Sequence, residues 1–80
     1  MTEQELLESF TQILRNLLGD DSIELTMETV RSDVHDWGSF NYINFIVAVE
    51  VELNIKFKIS DVESFNTVGE IVIAAKNLLH

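Results

Sequence analysis

The sequence has no cysteine and no proline, and it has only three glycines among its 80 residues. Without cysteine, a disulfide framework, a zinc–thiolate centre and a cysteine nucleophile are all excluded. Without proline and with so little glycine, long helices face few interruptions and a turn-rich β fold is disfavoured. A chain of this length suits one domain, which we expect to span residues 1–80.

Basic residues are also scarce. Five Lys and Arg stand against fourteen Asp and Glu, which gives 5 − 14 = −9 as the formal charge. Such a chain repels nucleic acid and anionic membrane surfaces and is attracted to basic partner surfaces. The sequence has no apolar run of transmembrane length and no signal-peptide pattern, so we expect a cytoplasmic protein. We expect a monomer, because no coiled-coil seam is evident.

The first part of the chain predicts an amphipathic helix over residues 2–18. Thr2 and Glu5 have the spacing of a capping box, and Gly19 suits a left-handed helix end. Apolar residues recur at helical intervals and predict the buried face: Leu6, Phe10, Ile13 and Leu17, widened by Leu7, Leu14 and Leu18.

The last part predicts two shorter helices. Ser60 and Glu63 form one capping-box pattern, which leads a segment to about Phe65, and Thr67 and Glu70 form another. The apolar stripe predicted for the final helix comprises Val68, Ile71, Val72, Ala75, Leu78 and Leu79. Basic side chains that suit the C-terminal end of its dipole are Lys76 and His80.

Residues 39–59 carry two conflicting patterns. Every odd position from 43 to 59 is apolar, which is typical of a half-buried strand. However, an unbroken strand of this length is far longer than usual, and no Gly or Pro supplies a hairpin turn. A helical face also fits: Tyr42, Phe45, Ile46, Val49 and Leu53. We predict a helix over 39–53 and an irregular link through Phe57, with a small mixed α/β domain as the alternative.

Residues 20–38 form a long connection, which is unusual unless it packs on the core or serves a function. Its scattered apolar residues predict that it is pinned to the core, with one short helical turn: Leu25, Met27, Val30 and Val34. Trp37 is predicted to anchor the end of this connection. His35 lies between Asp33 and Asp36, but three common loop residues are weak support for a metal ion, and we predict no metal site.

The segment Asp36-Trp37-Gly38-Ser39-Phe40 precedes the predicted amphipathic helix. That helix ends in the acidic and apolar run 49–55, and the later segment 65–71 passes from a short helix into the last one. In order and spacing these features resemble the acyl and peptidyl carrier proteins, over nearly the whole chain. The resemblance implies an all-α four-helix bundle with three main helices and one short helix.

The resemblance further implies that Ser39 bears a 4′-phosphopantetheine arm derived from coenzyme A. The arm's thiol, which this cysteine-free chain cannot supply itself, would hold acyl, aminoacyl or polyketide intermediates as thioesters. The implied partners are a phosphopantetheinyl transferase and loading and condensing enzymes with basic docking patches, and the protein itself is not an enzyme. Independently, a serine that begins a helix is a plain N-cap, and a phosphodiester there would meet unpaired backbone amides.

Two departures from the family pattern stand out. The family has Asp before the serine, a contact point for the transferase, whereas this chain has Gly38. Asp36 lies two residues upstream and is a candidate substitute. The missing carboxylate leaves open an unmodified interaction module that kept the bundle and lost the arm. Phe40 replaces the family's Leu and is expected to bury.

The predicted second helix is less acidic than is usual in the family, with Asn41, Asn44 and Val51 on its surface. This makes housekeeping fatty-acid synthesis less favoured among the pathways left open, which include polyketide, peptide and specialised lipid synthesis. Ile43 and Val47 follow Ser39 at four-residue intervals and share its side of the helix. Either they meet partner enzymes or shelter the cargo, or they are partly buried core residues. The predicted partner-binding residues are Asp36, Phe40, Ile43, Asn44, Val47, Glu50 and Val51.

Overall fold

A computed structural model describes residues 1–79, and their regular structure is entirely helical. The helices are α1 (Glu3–Leu18), α2 (Ser39–Leu53), α3 (Ile59–Ser64) and α4 (Val68–Leu78), with a 3₁₀ turn at Arg31–Asp33. The predicted all-α bundle of three main helices and one short helix is confirmed, and the mixed α/β alternative is wrong. The prediction for His80 lies outside the described residues.

Helix α1 is capped at both ends as predicted. The Thr2 side-chain oxygen accepts the Glu5 N–H at 3.1 Å, and the Glu5 carboxylate accepts the Thr2 N–H at 2.8 Å. Gly19 ends the helix with φ +65°, which glycine adopts without strain. The fully buried apolar residues are Leu6, Phe10 and Leu14. Leu17 is 36% exposed, so the predicted apolar stripe was too wide.

Helix α2 resolves the conflict between the two patterns. Its buried residues are Tyr42, Phe45, Ile46 and Val49. Ile43, Val47 and Val51 fall on the other side and are exposed. The alternation therefore reflects a helix with apolar residues on two sides, of which only one packs against the rest of the bundle. Asn54, with φ +55°, ends the helix where it was predicted to end.

Helix α3 begins earlier than predicted. Lys58 is its N-cap, and the Lys58 carbonyl accepts the N–H groups of Asp61 and Val62 at 3.0 and 3.1 Å. The predicted capping box of Ser60 and Glu63 is wrong, because Ser60 already lies inside the first turn.

Helix α4 begins at the predicted Thr67 cap. The Thr67 side chain accepts the Glu70 N–H at 3.2 Å, but the Glu70 carboxylate accepts the Asn66 N–H at 2.9 Å instead of that of Thr67. The predicted capping box is therefore only half formed. Leu78 is 43% exposed, so the buried stripe within the helix ends at Ala75. No helix in the described part of the chain has the length and hydropathy needed to cross a bilayer.

The connection between α1 and α2 is packed on the core as predicted. Leu25 is buried, Met27 and Val34 are partly buried against the core, and Ile23 is buried although it was not predicted to be. Thr29 is buried too, and its hydroxyl oxygen accepts the Thr26 N–H at 2.8 Å. A side-chain bond thus organises the middle of the connection, where no apolar pattern was visible.

Two main-chain hydrogen bonds attach this connection to the start of α4. The Val68 N–H donates to the Thr29 carbonyl and the Gly69 N–H donates to the Met27 carbonyl, both at 2.9 Å. A Cβ atom added to Gly69 would lie 2.6 Å from the Met27 carbonyl oxygen. The close approach therefore requires glycine at this position.

We expect Gly69→Ala to destabilise the protein. Overpacking of this kind costs about 1–3 kcal/mol, whereas Ala in place of Gly in a helix without the contact would stabilise it by about 1 kcal/mol. The two effects have opposite signs, so the urea midpoint of unfolding decides between them. A midpoint for Gly69→Ala above that of the wild type would contradict the contact.

Candidate functional site

Ser39 is the first residue of α2 and is exposed. The N-cap is Gly38, which has no side chain to cap the helix, and no side-chain hydrogen bond caps it. The Gly38 carbonyl accepts the Tyr42 N–H at 2.8 Å. The N–H groups of residues 39–41 precede this bond and have no acceptor within the helix. A hydroxyl and several free amide donors therefore meet at one exposed point.

Trp37 anchors the chain just before this point, as predicted. Its side chain is 3% exposed, and its ring packs edge-on against Phe45 with centroids 5.2 Å apart. The ring also lies 6.3 Å from that of Tyr42. The Trp37 Nε1–H has no hydrogen-bond acceptor within residues 1–79, so packing alone holds the ring.

The turn between the 3₁₀ helix and α2 is held by Asn41. Asp36 adopts φ +67°, and the Asn41 side-chain amide donates to the Asp36 carbonyl at 2.7 Å. The side chains of His35 and Asp36 are 3.5 Å apart and largely exposed. The Asp33 carboxylate accepts the Val30 N–H instead, and residues 1–79 contain no cluster of three or more potential metal ligands.

A groove of about 390 Å³ adjoins Ser39 between the 3₁₀ turn, α2 and α3. We call it the α2–α3 groove, and its lining residues are Arg31, Ser39, Tyr42, Ile43, Val62, Glu63 and Phe65. Arg31 is its only basic lining residue and Glu63 its only acidic one. Apart from these two charges and the hydroxyls of Ser39 and Tyr42, its lining side chains are apolar.

Tyr42 connects α2 to α3 beside the groove. Its hydroxyl donates to the Val62 carbonyl at 2.7 Å. Burial raises the pKa of Tyr42 above its ordinary value of 10.0, although the nearby Arg31 charge opposes this effect. The Arg31 guanidinium carbon lies 4.5 Å from the centre of the Tyr42 ring. The sequence did not reveal the hydrogen bond from Tyr42 to Val62 or the stacking of Arg31 on Tyr42. Arg31 is, however, the only Lys or Arg in the 20–38 connection.

Four apolar side chains form an exposed stripe along α2. This α2 stripe comprises Phe40 (79% exposed), Ile43 (51%), Val47 (50%) and Val51 (77%). The prediction that Phe40 buries is wrong, because its position faces away from the side of α2 that carries the buried Tyr42. The exposure of Ile43 and Val47 places them on the surface and not in the core.

The other predicted partner-binding residues differ in their surroundings. Asp36 is exposed before the start of α2, and Asn44 is partly buried. The Glu50 side chain is only 13% exposed. Its carboxylate accepts the Phe57 N–H at 2.8 Å and lies 4.0 Å from the Lys56 ammonium. Glu50 thus fixes the link after α2, a structural role that the sequence did not reveal, and it is poorly placed to meet a partner.

The fold and the sequence both resemble those of small carrier proteins. No model of a known protein family matches the chain. Acyl carrier proteins from three strains of Clostridium perfringens are each 30% identical to it over 67 residues, which cover 84% of this chain and 88% of theirs.

The same likeness extends to three dimensions. The solution NMR structure of a holo acyl carrier protein from Geobacter metallireducens superposes with a TM-score of 0.86. The two sequences are 35% identical, and the match covers 92% of this chain and 85% of that one. The chain belongs to the acyl carrier protein family, as its sequence features predict.

We expect Tyr42→Phe to lower the free energy of unfolding by about 0.5–1.5 kcal/mol, because the Val62 carbonyl loses its partner. The raised pKa adds a pH dependence. Stability from the neutral phenol is fully present below pH 10.0, the ordinary pKa, and is lost as the pH rises through the higher pKa of the folded state.

Urea unfolding of both proteins across this alkaline range measures the effect. Tyr42 is the only tyrosine, so the ultraviolet absorbance of tyrosinate reports its titration directly. A tyrosinate transition at or below pH 10.0 in the folded protein, or an equal alkaline loss of stability in Tyr42→Phe, would contradict the assignment.

Proposed function

We propose that the protein carries acyl, aminoacyl or polyketide intermediates as thioesters on a 4′-phosphopantetheine arm attached to Ser39. In this proposal it works in the cytoplasm, as a monomer, and is not itself an enzyme. It presents its cargo to partner enzymes after a phosphopantetheinyl transferase has installed the arm. When bound, the arm supplies a terminal thiol on a flexible tether.

The exposed Ser39 hydroxyl at the uncapped start of α2 is the observation that carries this proposal. The residues present fit a phosphate-linked group, since the free N–H groups of residues 39–41 and the positive end of the helix dipole favour an anion there. Gly38 adds no competing side-chain cap. The adjoining α2–α3 groove provides apolar surface beside the serine.

The neighbouring residues keep Ser39 accessible. Trp37 is buried and Asn41 holds the preceding turn, so the serine stands on a fixed element instead of a loose loop. A site held in this way requires little ordering when a transferase binds it. The −9 net charge speeds the approach of basic partner surfaces.

A second candidate function is favoured by Gly38. The family's Asp at this position is a contact for the transferase, and its loss is consistent with an unmodified interaction module. The two functions differ in one measurable property, the covalent state of Ser39.

We expect the purified protein to gain the mass of one phosphopantetheine group when it is incubated with coenzyme A and a broad-specificity transferase. Intact-mass spectrometry measures this gain, and peptide mapping assigns it to Ser39. Ser39→Ala is the matched control and is expected to gain nothing. No gain in the wild type with several transferases would support the interaction module instead.

Substitutions near Ser39 test whether a neighbouring carboxylate speeds its modification. A Cβ at Gly38 meets nothing within 4 Å, so Gly38→Asp fits and is expected to speed modification by about tenfold or more, since a charged hydrogen bond contributes about 1.5–3 kcal/mol. Gly38→Asn is the control for Gly38→Asp, because it supplies a cap of similar shape without the charge.

Asp36→Asn keeps a residue that tolerates φ +67°. If Asp36 substitutes for the missing carboxylate, this variant is modified more slowly.

We further propose that partners dock on the α2 stripe mainly through apolar contacts. Basic docking patches require carboxylates, but α2 offers only Glu50 and Glu52. The Glu50 carboxylate is already engaged with the link after the helix. Long-range attraction by the net charge would then set the encounter rate, while the stripe sets the contact.

Alanine substitution in the α2 stripe tests this docking surface. We expect Phe40→Ala, Val47→Ala and Val51→Ala to lower kcat/KM of the transferase or of a partner enzyme, at the most sensitive position by about fivefold or more, because truncation at a central contact costs about 1 kcal/mol or more. These side chains are half to four-fifths exposed, so the variants are expected to remain folded.

Ile73→Ala is the matched control for the stripe. Ile73 is 48% exposed, similar to Val47, but it lies on α4. Substitution there is expected to leave partner kinetics unchanged. Equal kinetics for all three stripe variants and the wild type would exclude docking on the stripe.

A further inference from the structure

Arg31 differs from most of the other basic residues in its surroundings. Arg15, Lys56 and Lys76 lie 2.6, 4.0 and 3.9 Å from carboxylates. Within residues 1–79, Arg31 takes part in no salt bridge, and its guanidinium instead lies over the Tyr42 ring. Its guanidinium therefore has no direct ion-pair partner among these residues.

The position of Arg31 relative to Ser39 is the second observation. Both residues line the α2–α3 groove, although they come from different elements. Glu63 lines the same groove and carries the opposite charge. An anion attached to Ser39 is attracted toward the Arg31 side and repelled from the Glu63 side.

The backbone around Arg31 is fixed. Its carbonyl accepts the Val34 N–H at 3.1 Å, and the Asp33 carboxylate accepts the Val30 N–H at 3.0 Å. Stacking on Tyr42 further restricts the side chain. A guanidinium that is restricted in this way loses little freedom when it binds a phosphate, and its planar fork offers two parallel N–H donors.

We propose that Arg31 is a positioning residue for the arm: its guanidinium binds the phosphodiester that would join the arm to Ser39, and holds the start of the arm against the α2–α3 groove. This inference rests on the proposed function. Because the phosphodiester is tethered to the same chain, its effective concentration at Arg31 is high, and a single charged contact suffices.

Phosphorus NMR of the modified protein tests this contact without any measurement of activity. In the wild type, we expect the phosphodiester resonance of the folded protein to be displaced from that of the same protein unfolded in urea. Arg31→Gln is expected to lose most of this displacement, and added salt to reduce it in the wild type. Arg31→Lys keeps the charge without the planar fork and is expected to keep only part of the displacement of the phosphorus resonance.

Lys58→Gln is the matched control. It removes one exposed positive charge, as Arg31→Gln does, and Lys58 does not line the α2–α3 groove. It is expected to keep the full displacement of the phosphorus resonance.

A second measurement uses the wild type alone, so that it does not depend on the folding of any variant. The NMR signal of the Arg31 Nε–H is expected to shift when the arm is attached.

The outcomes separate the two proposals. A wild type that gains no mass overturns both the arm on Ser39 and the role of Arg31. A normal mass gain with an unchanged Arg31 Nε–H signal, and with equal phosphorus displacement in Arg31→Gln and the wild type, overturns the role of Arg31 alone.

Discussion

Packing of the Trp37 ring against Phe45 fixes the point where α2 begins. Phe45 in turn packs edge-on against Phe10 of α1, with ring centroids 5.7 Å apart, so the anchor is continuous with the centre of the bundle. Because Trp37 is buried two residues before Ser39, the chain must emerge at Gly38 and start the helix at the surface. The exposed Ser39 hydroxyl and the free amides of the first turn lie immediately after this contact.

Around the serine, different residues supply the electrostatic attraction of partners and the surface that would contact them. The chain carries a large acidic excess, yet the helix beside the serine exposes apolar side chains, and one of its two carboxylates is committed to the main chain. On such a surface, the acidic excess attracts basic partners over a distance, whereas the burial of apolar side chains contributes only once the two proteins are in contact. Arg31, held over Tyr42, is the one cation that lines the groove beside the serine.

Much of the fold was predictable because its signals are local. The Thr2 cap, the Gly19 helix end and the end of α2 at Asn54 depend on neighbouring residues and on helical spacing. Predictions failed where the spacing was right but the surroundings decided otherwise. Ser60 has the spacing of a cap, yet the helix starts before it, and Phe40 is apolar but faces solvent.

The sequence by itself determined the helical class and most helix ends, since caps and periodicity act within a few residues. Only the tertiary structure decided which apolar side of α2 is buried, that Glu50 binds the following link, and that Arg31 shares a groove with Ser39. The bond from Tyr42 to Val62 and the approach of Gly69 to Met27 join residues far apart in the chain. No local pattern encodes such pairs, because their geometry exists only once the helices have packed.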